Sequence, residues 1–429
     1  MEYKEAMDYI ANTSRFGMNF GLERVENMLS LLGNPEKNLK CIHIAGTNGK
    51  GSTTAMITSI LKEEGYTVGM YTSPYLEEFE ERIQINGVNI PKEKLAKLVT
   101  EIKDITDKVI ENGFDNPTQF EIITVLMFLY FSREKVDYVV LEVGLGGRLD
   151  ATNVIEPLIS VIASISHDHM NILGDTIGQI AKEKCGIIKN SPVISYPQVE
   201  EAMSVIEKTC KEKNVQLIKA SLDSIIDVKA NKENNTQIIE FNLNNRSITV
   251  EHSLLGEHQV KNTLVALNVI DKFSELVKPI SDEVIKRGLL KTKWIGRMEV
   301  MRKKPLVVID GAHNFDGIKS LKNSVETYFD YKNIILVLGI LGDKEVEKMV
   351  ENISSIAKTV IITEPHNDRA KNIDEMGEYL EALNKTYEKI LDYNKAYKRA
   401  LDLADEDDLI LVCGSLYMIG DMRKVIRNS

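Results

Sequence analysis

The stretch CIHIAGTNGKGSTT, residues 41–54, determines how the first half of the chain is interpreted. CIHIA is a short, mostly apolar run typical of a buried strand, and the residues from Thr53 onward have a helical pattern. Between the two, Gly46, Gly49 and Gly51 let the backbone curl closely around a ligand, because no Cβ is in the way. A phosphate at the start of the helix would meet unpaired N–H groups and the positive end of the helix dipole. The stretch therefore predicts a phosphate-binding loop.

This loop departs from the common spelling G-x-x-x-x-G-K-[ST]. Ile44 stands at the place of the first glycine, and Gly51 follows Lys50 where a hydroxyl is usual. The chemistry is still available, since Lys50 can reach the β- and γ-phosphates of ATP and Ser52 or Thr53 can offer a hydroxyl to Mg²⁺. A plain turn between strand and helix is the alternative. The strand, helix, lysine and hydroxyls together favour a nucleotide site.

Length and composition limit the class of protein. The 429 residues exceed one ordinary core, so two or three domains are expected. A hydrophobic share of 43% and a charged share of 27% are those of an ordinary globular chain. The net charge of -11 argues against nucleic acid as the main partner, because phosphate contact needs a basic face. The longest apolar run, residues 122–131, is too short to span a bilayer, so no membrane partner is expected.

The cysteines and the first residues indicate the compartment. The N-terminal residues MEYKEAMDYI lack the apolar segment of a signal peptide. The cysteines are scattered and form no C-x-x-C pair, which favours free thiols in a reducing compartment; they are Cys41, Cys185, Cys210 and Cys413. We expect a cytoplasmic protein.

Short β-branched runs alternate with longer amphipathic stretches, which is typical of an α/β fold with a mostly parallel sheet. Strands are predicted at 41–45, 67–72, 137–143, 158–165 and 192–196, and helices at 53–64, 92–112 and 119–135. Alternation over 225–252 predicts an antiparallel hairpin, followed by helical patterns at 258–276 and 281–291. A second series predicts strands at 306–310, 333–339, 359–363 and 408–413. The expected domains are 1–295 and a smaller α/β domain at 296–429.

Further polar residues follow predicted strands. Glu142 lies near the carboxyl end of DYVVLEV (137–143). This is the position of an acidic residue that bridges Mg²⁺ to a nucleotide, although a structural ion pair is the alternative. His167 and His169 follow the strand at 158–165, where a single histidine is more often a hydrogen-bonded bystander than a ligand. Lys184 by itself is an ordinary solvated charge.

Together these motifs resemble the folylpolyglutamate synthase and dihydrofolate synthase family, which is related to the muramyl ligases. The matching motifs run through nearly the whole chain: GTNGKGS (46–52), TSPYL (72–76), LEVGLGGRLDATN (141–153), DHMNILG (168–174), KEKCGIIK (182–189), GR (296–297), DGAHN (310–314) and CGSLY (413–417). The resemblance implies an ATPase-like N-terminal domain with a phosphate loop, a smaller C-terminal α/β domain and an active site in the cleft between them. It also implies that ATP activates a pteridine-bearing acid as an acyl phosphate, which the amine of L-glutamate then attacks.

The resemblance also implies residue roles. Catalytic roles fall on Lys50, Lys184, Asp310 and His313, and nucleotide contacts on Gly49, Lys50, Gly51, Ser52, Asn262, Arg297 and Asp310. Two Mg²⁺ ions are implied, with Ser73, Glu142 and His169 as ligands. Lys184 matches a family lysine that CO₂ carbamylates, and Cys185 replaces the family's usual alanine beside it.

A pterin pocket is expected around Asp150, whose carboxylate can pair with the donor edge of the ring, while Phe120 offers a stacking face. Arg82 is expected to anchor the anionic end of the substrate. The other expected substrate contacts are Gly21, Leu22, Arg24, Thr118, Gln119, Glu121, Leu149, Ala151 and Ser415. Phe120 and Leu22 could equally be core residues.

The segment GLGGRLDATN resembles the bifunctional bacterial type, which acts on both dihydropteroate and folates; tail extension alone is the alternative. A muramyl ligase and a GTPase-like switch are further alternatives. TSPYL and the GKGS form of the loop speak against the first, and the absence of N-K-x-D speaks against the second. A monomer that acts on dihydropteroate, folates, L-glutamate and ATP is expected.

Overall fold

The structure is a computed structural model that describes residues 1–13, 21–244 and 246–429. Its helices are α1 Tyr3–Thr13, α2 Glu23–Leu31, α3 Lys50–Glu63, α4 Lys92–Glu111, α5 Gln119–Arg133, α6 Met170–Leu173, α7 Ile177–Lys184, α8 Glu200–Glu212, α9 Glu257–Leu276, α10 Asp282–Lys291, α11 Phe315–Tyr328, α12 Val346–Ser354, α13 Ile373–Ala382, α14 Tyr393–Leu403 and α15 Leu416–Arg427.

The strands lie between these helices. They are β1 Cys41–Ala45, β2 Val68–Tyr71, β3 Ile83–Ile85, β4 Val88–Asn89, β5 Tyr138–Glu142, β6 Ile159–Ile162, β7 Val193–Ser195, β8 Leu217–Lys219, β9 Ile225–Asn231, β10 Thr236–Leu243, β11 Arg246–His252, β12 Glu299–Lys303, β13 Leu306–Ile309, β14 Ile334–Leu338, β15 Thr359–Ile362, β16 Tyr387–Lys389 and β17 Leu409–Cys413.

The described chain divides into two compact units. The first comprises 1–226, 241–250 and 261–292, and the second comprises 227–240, 251–260 and 293–429. A three-stranded sheet, in the order β11-β10-β9, replaces the two-stranded hairpin that we predicted for 225–252, and Asn245 lies outside the described residues. The predicted division at 295/296 stays a prediction.

The first unit is built on a sheet in the order β4-β3-β2-β5-β1-β6-β7-β8. The strands from β2 to β8 in this order pair in parallel, while β3 and β4 add an antiparallel edge. β1, β2, β5 and β6 are buried along their whole length, as expected for strands covered by helices on both faces. The carboxyl ends of β2, β5, β1 and β6 therefore lie side by side at one edge of the sheet.

Helix α3 packs closely on α10. Ser59 Oγ donates to the Gly288 carbonyl at 2.6 Å, and a Cβ added to Gly288 would lie 2.6 Å from the Ile60 Cα. At the end of the same face, Glu63 pairs with Arg287 and Lys291. The helix that begins at the glycine loop thus rests on a neighbour whose backbone is in contact with its own.

The second unit has its own sheet, in the order β12-β13-β17-β14-β15-β16. All neighbours pair in parallel except β12 and β13, which are antiparallel. An apolar core that includes Leu336, Leu338 and Met349 lies against this sheet. The predicted α/β class, with a mostly parallel sheet in the larger part and a smaller second α/β part, is confirmed.

Gly288→Ala should lower the thermal unfolding midpoint, although alanine is normally favoured over glycine in a helix by about 0.5–1 kcal/mol. The added methyl meets the backbone of Ile60, which cannot rotate away, so overpacking should cost about 1–3 kcal/mol. Gly178→Ala in α7 is the control, because its methyl would meet only the movable Glu201 carboxylate. Equal midpoints for the two variants would contradict the backbone contact.

Candidate active site

The glycine loop joins the central strand β1 to helix α3. Gly49 has φ +84°, and a Cβ added there would lie 2.4 Å from Asn262 Oδ1, so glycine is required on two counts. The Thr47 N–H donates to the Ser164 carbonyl at 2.7 Å, and Thr47 Oγ1 donates to the Ser166 carbonyl at 3.1 Å. The loop is therefore fixed to the segment after β6, and its N–H groups begin a helix of 14 residues.

Lys50 is held over its own loop. Its Nζ donates to the carbonyls of Gly46 and Thr47 at 3.0 and 3.2 Å and lies 3.9 Å from Glu142 Oε1. Glu142 is the last residue of β5, is 4% exposed, and accepts from the Ser73 N–H through Oε2 at 3.2 Å. Cation, carboxylate and the serine of TSPYL thus meet at one edge of the sheet.

His169 follows β6 at this same edge, but in a different environment. It precedes the short helix α6 with φ +49°, its side chain is 39% exposed, and its Nε2 lies 3.8 Å from Asp168 Oδ2. Ser52, by contrast, is buried in the first turn of α3. The exposed imidazole and the acidic neighbour leave His169 accessible to a ligand from solvent.

These residues suit Mg²⁺, which binds few protein carboxylates and keeps water and phosphate oxygens as its other ligands. Glu142 and Ser52 supply a buried carboxylate and a buried hydroxyl beside the loop, and Ser73 adjoins Glu142 through its N–H. Over residues 1–13, 21–244 and 246–429, no group of three or more His, Cys, Asp or Glu side chains is placed to hold a metal by itself. The donor set therefore fits a nucleotide-bound ion rather than a metal cage made by the protein alone.

Lys184 is the last residue of α7 and is only 2% exposed. Burial and the nearby positive charge of Lys50 lower the pKa of its ammonium to about 7, although Asp168 and Asp150 act in the opposite direction. Lys184 is therefore largely an uncharged amine slightly above neutral pH. It is a buried group near the loop lysine, not the solvated charge of an isolated helix.

Asp150 organises the segment GLGGRLDATN. Its Oδ2 accepts from the Leu145 N–H at 2.8 Å, and its Oδ1 accepts from the N–H and hydroxyl of Thr152 at 3.0 and 2.5 Å. Burial raises the pKa of the carboxyl, while these hydrogen bonds oppose the change. Phe120 lies against the same segment, because a Cβ on Gly144 would meet its ring at 2.4 Å.

The residues predicted around the pterin lie on α2 and α5. Arg24 is buried and forms a two-point pair with Glu121, and Glu121 also caps α5 together with Thr118. Gln119 donates to the Ile10 carbonyl at 3.2 Å. These groups hold the helices together. Gly21 and Leu22 directly precede α2, while Leu149 and Ala151 flank Asp150.

Arg82 lies beside two neighbouring aromatic rings, whose centres are 6.0 Å apart. Its guanidinium carbon is 5.2 Å from the centre of the Tyr75 ring and 5.8 Å from that of Phe79. Its Nε is buried and has no hydrogen-bond partner among the described residues. A planar cation that lies against aromatic rings and has an N–H donor at Nε available suits an anionic ligand.

In the second unit, Asp310 follows β13 and is 5% exposed. Its carboxylate accepts from the N–H groups of Met298 and Ala312 at 2.9 and 2.8 Å, which ties the GR and DGAHN motifs together. Burial raises its pKa, while the positive charge of Arg297 acts in the opposite direction. Arg297 lies beside Gly311, where a Cβ would be 2.5 Å from Nη1.

His313 and Ser415 lie beyond neighbouring strands of the second sheet. His313 Nδ1 is 2.8 Å from the Gly311 carbonyl, and the Gly414 N–H donates to the Ala312 carbonyl at 3.2 Å. Ser415 precedes α15 and is fully buried, yet its Oγ has no hydrogen-bond partner in the part of the chain that the structure describes. A buried hydroxyl at a helix start is a suitable donor to a carboxylate.

Two domain families match the chain: the Mur ligase middle domain over residues 44–270 and the Mur ligase glutamate ligase domain over 296–416. A Bacillus subtilis protein named dihydrofolate synthase/folylpolyglutamate synthase is 37% identical over 99% of both chains. The chain belongs to the dihydrofolate synthase/folylpolyglutamate synthase family. It is thus an ATP-dependent ligase of Mur ligase architecture, as the motifs predict.

Other members give the same result. Folylpolyglutamate synthase of Lacticaseibacillus casei is 34% identical over 99% of both chains. The structure of Mycobacterium tuberculosis folylpolyglutamate synthase complexed with ADP and AMPPCP matches with a TM-score of 0.92 and 26% identity, covering 99% of both chains. An FPGS-AMPPCP-folate complex matches with a TM-score of 0.86 and 31% identity over 99% of this chain and 100% of that one.

Within the first unit, the structure brings together many of the residues that we predicted for this ligase. Lys50, Glu142 and Ser73 lie in one group, and Asn262 lies against Gly49. Arg297, Asp310, His313 and Ser415 belong to the second unit, and their assigned roles stay predictions. No helix within the described residues combines the length and the apolar composition that a bilayer span requires.

Two residues near the site were not singled out in the sequence. Tyr75 supplies a ring face to Arg82, and His43 contacts the Asp150 segment through Thr152. Tyr75 lies within the TSPYL motif, but its contact depends on how that loop folds. His43 interrupts an apolar strand, and a polar side chain between Ile42 and Ile44 was a signal that could have been used.

Lys184→Met should change how stability depends on pH. Because the pKa of Lys184 is lowered in the folded state to about 7 from its ordinary value of 10.5, the unfolded chain binds an extra proton between these pH values. Wild-type stability should therefore rise with pH across this window relative to the variant, by at most about 1.4 kcal/mol per pH unit. Denaturant unfolding of both proteins from pH 7 to 10, without nucleotide, metal or bicarbonate, measures the difference. Parallel curves would show that Lys184 is not buried as a neutral amine.

Proposed function

We propose that this chain adds L-glutamate both to dihydropteroate and to the glutamate tail of folates, at the expense of ATP. The observation that carries the proposal is the position of Lys50, bound to its own loop and 3.9 Å from the buried Glu142. A triphosphate at the start of α3 would take the place of the loop carbonyls as the partner of Lys50. The same edge of the sheet has the Asp150 segment as a candidate acceptor site.

In the proposed reaction, an oxygen of the acceptor carboxylate attacks the γ-phosphorus of ATP, and the bond to ADP breaks. The product is an acyl phosphate. The amine of glutamate then attacks its carbonyl carbon, loses a proton and releases inorganic phosphate, which leaves an amide. Lys50 would stabilise negative charge on the transferring phosphoryl group, and Arg297 offers a fork of donors to phosphate oxygens. Asp310, His313 and Ser415 are proposed to serve nucleotide and glutamate.

Ser73, Glu142 and His169 are the residues that we propose would hold Mg²⁺, with two ions as the full complement. When bound, Mg²⁺ neutralises charge on the β- and γ-phosphates. The buried Glu142 carboxylate beside Lys50 supports an Mg²⁺ position next to the phosphates of the nucleotide. Support for His169 is its exposed imidazole beside Asp168 at the same edge.

Carbamylation of Lys184 is part of the proposal. The uncharged amine attacks the carbon of CO₂ and loses a proton, which converts the buried neutral amine into a carbamate anion. The lowered pKa of Lys184 supports this, because an uncharged amine is then present close to neutral pH. The positive charge of Lys50 would favour the carbamate.

Dihydropteroate is proposed as a substrate in addition to folates because of the Asp150 carboxylate and the nearby ring of Phe120. The B. subtilis relative carries both activities in its name, whereas the L. casei relative carries only the second. Tail extension alone is therefore the alternative, and a muramyl-type acceptor is a more distant one. The four cysteines are buried and free, which supports the proposed cytoplasmic location; the monomeric state rests on the resemblance alone.

A paired assay tests the function. Purified protein is given ATP, Mg²⁺ and L-glutamate with dihydropteroate, tetrahydrofolate or a muramyl-type acid, and both phosphate release and amide formation are measured. Use of the first two acids is expected. Product from tetrahydrofolate alone would support tail extension as the only activity. Phosphate release that does not depend on any of the three acids would contradict ligation.

Lys50→Ala should abolish ATP turnover, because the loop loses the cation that faces the β- and γ-phosphates. Lys62→Ala is the matched control on the same helix, since Lys62 is exposed and donates only to the Asn86 carbonyl among its described hydrogen bonds. The control should retain activity, and both variants should unfold at similar temperatures. Normal turnover by the Lys50 variant would remove the phosphate-loop assignment.

Asp150→Ala should impair the dihydropteroate reaction more than tail extension, because the pterin loses a hydrogen-bond acceptor and dihydropteroate has no glutamate tail to supply other contacts. A loss of about tenfold in kcat/KM corresponds to one hydrogen bond to a charged group. Tail extension by the same preparation is the internal control for folding. Equal losses in the two reactions would argue against a dedicated pterin contact.

A further inference from the structure

We propose that His43 is a positioning residue for the pterin end of the acceptor, acting on the Asp150 carboxylate through the hydroxyl of Thr152. The inference rests on the proposed function, because it assumes that Asp150 contacts the substrate. His43 itself does not reach the reacting atoms.

His43 occupies the middle of the central strand and is completely buried between Ile42 and Ile44. Its Nε2 lies 2.9 Å from Thr152 Oγ1. Burial lowers the pKa of the imidazole to about 3, with a further contribution from the positive charge of Lys189. The ring is therefore neutral and carries one N–H.

The hydrogen bonds decide which nitrogen carries that proton. The single hydrogen of the Thr152 hydroxyl points to Asp150 Oδ1, at 2.5 Å. The same oxygen of Thr152 must then accept from His43, so the imidazole is protonated at Nε2. His43 Nδ1 has no hydrogen-bond partner among the described residues, as expected for the lone-pair side of this tautomer.

The result is a directed chain of donors that ends on a carboxylate. His43 donates to Thr152, Thr152 donates to Asp150 Oδ1, and the Leu145 N–H donates to Asp150 Oδ2. Each bond polarises the next in a buried environment, which favours the charged carboxylate and fixes the direction of its free lone pairs. The segment 145–152 is thereby closed around Asp150.

Lys189 holds the main chain that follows Thr152. Lys189 Nζ donates to the carbonyls of Asn153 and Ile155 at 3.0 and 2.5 Å. These bonds hold the main chain beyond Thr152, but they do not touch the Asp150 carboxylate. The carboxylate itself is oriented by the Leu145 N–H and by the N–H and hydroxyl of Thr152, and His43 acts on that hydroxyl.

A buried imidazole at this position costs free energy on folding. The other residues of β1 are apolar, and an aliphatic side chain would avoid the cost of desolvating the ring. Among the described residues, the hydrogen bond that a histidine gains here is the one to Thr152. Its benefit is therefore expected in the geometry and charge of Asp150, rather than in stability.

The test compares His43→Gln with His43→Met. Gln places an N–H donor close to the position of Nε2, whereas Met has a similar shape and no donor. For the Met variant, KM for dihydropteroate should rise about tenfold, as for one hydrogen bond in a charged network. Its KM for ATP and its tail-extension activity should stay within about twofold of wild type. The Gln variant should restore the KM for dihydropteroate.

Thr152→Val and Thr152→Ser make the same comparison at the next hydrogen bond, the one from Thr152 to Asp150. They serve if the Met variant does not fold. Val should behave like Met, and Ser should behave like wild type. The inference is overturned if the donor-free variants keep a normal KM for dihydropteroate, or if they lose all activities equally, as a structural role predicts. If Asp150→Ala is also normal, or wild type does not use dihydropteroate, the proposed pterin contact fails as well.

Discussion

The turn between β1 and α3 determines where the side chains of the first unit's site lie. A backbone that offers N–H groups to a triphosphate must turn sharply, and Gly49 makes the turn with φ +84° and Asn262 directly above it. Thr47 fastens the turn to the segment after β6. Parallel pairing then places the ends of β2 and β5 alongside, so Lys50, Glu142 and Ser73 meet without any long loop. The order of the strands thus determines which side chains meet at the nucleotide loop.

Around this edge the protein buries ionisable groups and sets the charge of each one by its neighbours. Lys184 is close to neutral because burial and Lys50 oppose its charge, and that state allows a reaction with CO₂. Asp150 is buried too, but donors from the backbone and from Thr152 favour its ionised form. His43 is buried as a neutral donor. The amine of Lys184, the carboxylate of Asp150 and the imidazole of His43 thus differ in charge, although all three are buried.

Sequence periodicity predicted the main strands and helices to within a few residues, because apolar runs and helical spacing are local signals. β1 has the predicted bounds, and α4 and α5 begin where predicted. Short or charged elements such as β12 and β16 lacked a distinct pattern, and three strands formed where a hairpin was predicted. At the site, the loop could be read from its own residues. The contact of Asn262 with Gly49 depends on tertiary packing and leaves no local trace. His43 is visible in the sequence as a polar residue in an apolar strand, but its contact with Thr152 is not.

In the proposed reaction, ATP activates the carboxylate of the acceptor at the loop of Lys50. An acceptor whose carboxylate oxygens are ¹⁸O tests this step, when the phosphate that is released is analysed by mass. Activation as an acyl phosphate predicts one ¹⁸O in each inorganic phosphate and one retained in the new amide. Unlabelled phosphate released during amide formation would contradict the account.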